Sequence, residues 1–196
     1  NNSAAMGPNA DTGCGMQLEV QQQSNGPTRH WVQDDSPNAE TRYRAAFCMN
    51  LDNVAIPANS SGLPERRLKF HIASCGPVSE GCFRFDNLMM KISNIGTDTG
   101  AGKDYEILGM VRDDNAAGVN KRHIFHADIT DSGPFRVEYD LNYDAATPYL
   151  KVWVNATSES DTPVLDLQGI ALPAGAQGIN LVRLGQMGKH DSIAAG

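Results

Sequence analysis

The stretch Thr41-Arg42-Tyr43-Arg44-Ala45-Ala46-Phe47-Cys48-Met49-Asn50-Leu51 decides the fold. Tyr43, Ala45, Phe47, Met49 and Leu51 fall on one side of an extended chain, and Arg42, Arg44, Ala46, Cys48 and Asn50 on the other. Period two turns a chain into a strand with one dry face and one wet face. The same pattern returns in 135–142, where Phe135, Val137, Tyr139 and Leu141 alternate with Arg136, Glu138, Asp140 and Asn142. It returns again in 149–155, with Leu150, Val152 and Val154 set against Tyr149, Lys151 and Trp153.

Working outward from these runs, weaker strand patterns occupy 16–20, 28–33, 68–74, 83–93, 105–112, 123–129, 164–167 and 179–184. Turn sequences separate them, among them Ser24-Asn25-Gly26-Pro27, Asn59-Ser60-Ser61-Gly62 and Asp131-Ser132-Gly133-Pro134. About ten or eleven short strands spaced this way predict an all-β sandwich. The connections are too short for helical crossovers, so pairing is expected to be antiparallel. Residues 1–12 read as a flexible lead-in and 13–196 as a single β-sandwich domain.

Bulk composition narrows the partners. The chain has 196 residues, 40% of them hydrophobic, enough for one well-packed core. With 16 Lys+Arg against 23 Asp+Glu the formal net charge is -7. Phosphate recognition needs a basic face, and the basic clusters are no larger than Arg66-Arg67 or Lys121-Arg122, so nucleic acid is not an expected partner. No apolar run is long enough for a membrane span. The start at Asn1-Asn2-Ser3 shows no signal peptide and fits a cleaved mature end or an arbitrary boundary.

Four cysteines stand at Cys14, Cys48, Cys75 and Cys82, without zinc-ligand spacing. Cys75 and Cys82 bracket a Gly/Pro-containing insert that lets two strand ends meet, which favours a Cys75–Cys82 bridge and leaves Cys14–Cys48. Three connectivities are possible, and four free buried thiols are the competing reading. Disulfides persist outside the cytosol, so the expected location is extracellular or at the cell surface.

Several segments resemble the concanavalin A-like (LamG-like) jelly-roll domains of bacterial secreted and surface proteins. They are Trp31-Val32-Gln33-Asp34-Asp35-Ser36-Pro37, Glu40-Thr41-Arg42-Tyr43-Arg44-Ala45-Ala46-Phe47, Phe135-Arg136-Val137-Glu138-Tyr139-Asp140, Leu150-Lys151-Val152-Trp153-Val154-Asn155 and Asn180-Leu181-Val182-Arg183-Leu184-Gly185. The resemblance implies two curved antiparallel sheets and a carbohydrate or protein ligand. It specifies fold better than function. Such domains usually close with a further strand after the last of these segments. Here a polar tail follows instead, which raises the expectation of an open sheet edge that pairs with another copy.

Catalysis finds little support in the residues. Laminarinase-type jelly rolls carry a Glu-x-Asp-x-Glu-like strand, and Glu138-Tyr139-Asp140-Leu141-Asn142 approximates it. Retaining hydrolysis needs two carboxyl groups about 5–5.5 Å apart, but the third position is Asn142, which cannot exchange a proton at neutral pH. There is no nucleophile elbow, zinc-binding His pair or phosphate loop. His123 and His126, three apart in a strand, are expected on opposite faces. Asp113 and Asp114 are weak calcium candidates, and no other cofactor is expected.

A sugar-binding face needs exposed rings beside polar groups. Trp153 is the leading candidate, expected to project beside Tyr149, Lys151 and Asn155, with Glu138 and Asp140 on the neighbouring run; burial beneath a loop is the alternative. Trp31 and Tyr143 are weaker candidates. The expected function is a non-catalytic extracellular, lectin-like domain that binds glycan or a surface protein. The alternative is a structural subunit of a filament or surface assembly joined by strand exchange, and a laminarinase-like hydrolase ranks last.

Overall fold

The structure is a computed structural model that describes residues 30–51, 56, 67–75, 87–94, 105–117, 122–129, 134–158, 160–171 and 178–188. Among them there is no helix, and ten strands follow one another in the chain. These are β1 (His30–Asp34), β2 (Arg42–Asn50), β3 (Arg67–Ser74), β4 (Leu88–Asn94) and β5 (Tyr105–Arg112). The second half contributes β6 (Arg122–Asp128), β7 (Pro134–Asn142), β8 (Tyr149–Val154), β9 (Leu165–Gln168) and β10 (Leu181–Gly188). Each lies within a residue or a few of an alternating run in the sequence. The expected strand at 16–20, the lead-in at 1–12 and the Cys82 end of the insert lie outside the described residues.

The strands form two antiparallel sheets. The larger has the order β1-β10-β3-β4-β5-β6 and the smaller β2-β7-β8-β9. Their inner faces make one core, because every alternating strand turns its apolar set the same way. Tyr139, Phe135, Leu141, Leu150 and Val152 of the smaller sheet meet Phe70, Leu88, Met90, Ile92 and Ile107 of the larger. Phe47 packs edge-on to Phe70 with ring centroids 5.8 Å apart, one direct contact between the layers.

Two irregularities shape this interface. The β3–β4 register shifts between Lys69 and His71, so that Phe70 and His71 both turn toward the core. His71 Nε2 then lies 2.9 Å from the Tyr139 hydroxyl on the opposite sheet. In β5, Gly109 faces Phe125 of β6 directly, and the ring lies where a Cβ would stand. Only glycine leaves room for it.

The cysteine expectations need one correction. Cys48 is a free thiol on the outer face of β2, so the Cys14–Cys48 bridge is not formed. Its alternation partner across the ladder is Arg136, and no cysteine is brought to it among the described residues. Cys75 is disulfide-bonded, with its partner outside the described residues. No helix among the described residues is long and apolar enough to cross a membrane.

Candidate binding face of the smaller sheet

The ladder between β7 and β8 places Glu138 opposite Trp153, Asp140 opposite Lys151 and Asn142 opposite Tyr149. Because β7 turns Phe135, Val137, Tyr139 and Leu141 inward, these partners all stand on the outer face. The sequence-derived site residues Glu138, Asp140, Tyr149, Lys151 and Trp153 thus come together on one surface, with Asn155 at its end. The pairing of β2 with β7 adds Arg42, Arg44 and Arg136, and β9 adds Asp166 opposite Lys151. One row across the four strands reads Arg44, Asp140, Lys151, Asp166, alternating in charge.

The β7 carboxylates lie below the guanidinium groups that hold them, whereas Asp166 of β9, 44% exposed, stands as high as Lys151. Arg42 grips Asp140 with two nitrogens, Nε to Oδ1 at 3.2 Å and Nη2 to Oδ2 at 2.9 Å. Tyr149 donates to Asp140 Oδ2 from 3.1 Å. Arg44 holds Glu138 Oε1 with Nε at 2.8 Å and with Nη2, while Arg136 Nη2 takes Oε2 at 2.5 Å. Such forked, charge-assisted bonds fix geometry as well as energy. The Glu138 and Asp140 side chains are 11% and 8% exposed, against 56% for Arg42 and 34% for Lys151. Lys151 Nζ sits 5.4 Å from the centre of the Tyr149 ring and 3.7 Å from Asp166.

Trp153 follows the second of the two sequence expectations, burial beneath a loop. It points to the outer face as alternation requires, yet it is buried, with 8% of its surface exposed. Its indole Nε1 donates to the Asp161 carbonyl oxygen at 2.9 Å, and the Arg44 guanidinium covers the ring with 5.9 Å to its centroid. An indole N–H under cover needs such an acceptor. Asp161 in turn anchors that loop: its Oδ2 accepts from the Thr157 and Ser158 backbone nitrogens, which holds its carboxyl below the ordinary value. Trp153 is therefore a strut under a loop and cannot stack on a sugar without displacing it.

The other candidates find structural employment. Asn155 closes β8 at a positive φ of 55°, a conformation asparagine tolerates, and its Oδ1 accepts from the Arg136 backbone N–H at 2.9 Å. Asp113 is buried, and its Oδ1 receives the Asn115 and Ala171 N–H groups, each at 2.9 Å. The Asp114 N–H donates to the Ala171 carbonyl, so the pair ties two connections together. No cluster of metal-ligating side chains occurs among the described residues. Asn142 Oδ1 accepts from the Asp144 and Ala145 backbone nitrogens and turns the chain out of β7. Tyr143 donates to the Arg112 carbonyl from a partly buried position, and loss of water around the hydroxyl pushes its pKa upward. Trp31 is the more exposed tryptophan, at the larger sheet's edge with the Arg183 guanidinium stacked 5.1 Å from its centroid.

Sequence reasoning underweighted Arg42, Arg44 and Arg136. Alternation already put them on the wet side, but only the register shows that they close over the carboxylates. Asp161 carried no signal, since its role depends on where the loop lands. No family model matches this chain, and no curated protein is significantly similar to it. The fold defines it as a two-sheet antiparallel β-sandwich domain.

Proposed function

We propose that the chain is a non-catalytic extracellular binding module that recognises a glycan or a protein surface through the outer face of the smaller sheet. The observation that carries this reading is the layering over β7, where three arginines and one phenol close over the carboxylates of Glu138 and Asp140. Such a face offers donors and little bare apolar area, so it suits a ligand rich in carboxylate or other anionic oxygen. With Trp153 covered, recognition by ring stacking on a neutral sugar has less support than it has from the sequence alone. The jelly-roll connectivity and the resemblance to concanavalin A-like domains belong to the same reading. The disulfide at Cys75 supports an oxidising, extracellular setting.

Hydrolysis in the laminarinase manner has the least support. Both oxygens of Glu138 and both of Asp140 already accept from guanidinium or phenol groups. Neither carboxylate presents an oxygen to a substrate. The alternative of a structural subunit gains from one observation. Among the described residues, the four exposed large hydrophobics are Trp31, Val32, Ile124 and Val164, all on or beside strands that end a sheet.

Affinity electrophoresis through gels containing a soluble polyuronate or a neutral β-glucan tests the proposed face. The polyuronate is expected to retard the native protein, and Lys151→Glu with Arg42→Glu to run freely. Equal retardation of native and variant proteins, each measured against its own mobility in a gel without polysaccharide, removes this face as a glycan site.

A further inference from the structure

β6 ends the larger sheet, and no strand lies beyond it among the described residues. Sheet edges are normally blunted by a bulge, a proline or a central charge. β6 has no bulge and no proline: its register with β5 runs unbroken from Arg122 to Asp128, its centre carries Ile124, 57% exposed, and the neighbouring His126 is engaged with Glu106 of β5 at 2.7 Å. Its two ends bear opposite charge, Arg122 first and Asp128 last. Arg122, Ile124, His126 and Asp128 share the outer face, opposite Arg112, Met110, Leu108 and Glu106 of β5.

We propose that two copies of this chain pair antiparallel through β6, about a two-fold axis passing beside Phe125. A two-fold perpendicular to the sheet keeps outer residues opposite outer residues, so the alternation stays in phase. Centred on Phe125, the pairing uses all seven residues of the strand. It sets Arg122, whose guanidinium also lies against Met110 Sδ at 3.9 Å, against Asp128 of the partner subunit twice over, and Ile124 against His126 of the partner subunit. Sliding by two residues either way breaks both charge pairs and shortens the ladder. The strand is therefore self-complementary in one register. The join extends two six-stranded sheets into one continuous sheet. A single strand pair buries little area, so the dimer belongs to the weak class and forms at high concentration.

Sedimentation equilibrium of the full chain over a wide concentration range, with the following variants, tests the pairing. The native protein is expected to pass from monomer to dimer. Asp128→Arg places arginine against arginine and raises the dissociation constant on the order of tenfold or more. Arg122→Asp does the same with aspartates, and the double exchange R122D/D128R restores the dimer, because a two-fold interface accepts either polarity. Ile124→Lys, at an exposed position, also weakens it while circular dichroism stays native. A monomer at every concentration overturns the proposal. So does a dimer indifferent to Asp128→Arg, which places the contact elsewhere. Species growing beyond the dimer overturn it too, in favour of head-to-tail pairing of β6 with β1.

Discussion

His71 sits between the sheets with its ring 5.3 Å from Tyr139 and 5.1 Å from Phe47. Burial disfavours the imidazolium and lowers its pKa from 6.5 to about 3. The unfolded chain therefore binds a proton that the folded chain refuses between those values. Stability is full above pH 6.5 and falls by about 1.4 kcal/mol per unit as pH drops toward 3. Urea unfolding at pH 7 and pH 5 should differ by roughly 2 kcal/mol more in the native protein than in a H71L/Y139F variant, which removes both partners of the bond. An equal difference would show that His71 is not the proton acceptor. Asp161 offers a second test. Asp161→Ala removes the carboxylate that gathers the Thr157 and Ser158 N–H groups, and the loop should leave Trp153. Its fluorescence is expected to shift to the red while Trp31, already half-exposed, contributes a constant background.

At the scale of the strand, Gly109 and Phe125 make the sharpest prediction. A Cβ on Gly109 would stand 1.9 Å from Phe125 Cζ, inside a ring that is itself buried. Gly109→Ala should cost about 1–3 kcal/mol by overpacking, and G109A/F125L should recover part of it. Thermal unfolding of the three proteins checks this. The two polar rows of the smaller sheet are less sensitive: Asp140→Asn should cost about 1–2 kcal/mol, because Arg42 is largely exposed and keeps water as a partner. Strand existence was legible because 41–51, 135–142 and 149–155 alternate without interruption. Their wet faces were legible for the same reason, so the candidate residues did converge on one surface. Pairing order was not, since β2 reaches across some ninety residues to β7 and nothing local encodes that choice. The cover over Trp153 was legible only as one of two alternatives, because it depends on how a turn-rich segment folds back. The free thiol at Cys48 escaped for a related reason: cysteine count constrains the number of bridges but not which strands lie near each other.

For the molecule as a whole, the cysteines give the most direct check on its setting. Peptide mapping without reduction should find Cys75 in a bridge and Cys48 open to a thiol reagent in the folded protein. A Cys48 found bridged to Cys14 would overturn the free thiol on β2. Reduction should lower stability by roughly 2–4 kcal/mol, the usual worth of one native bridge. The order of strands in the larger sheet bears on something else, the timing of folding. β3, β4, β5 and β6 pair with their chain neighbours as a meander, so each can join as soon as it is made. β10 is the last of the described strands, yet it lies between β1 and β3. Until it arrives, β1 has no place in the sheet, and the inward side of β3 has no neighbour on that flank. A nascent chain can thus hold a half-built sheet for most of its synthesis without completing a native state. Contacts of such sequence separation close slowly, so the sheet locks only once β10 is in place.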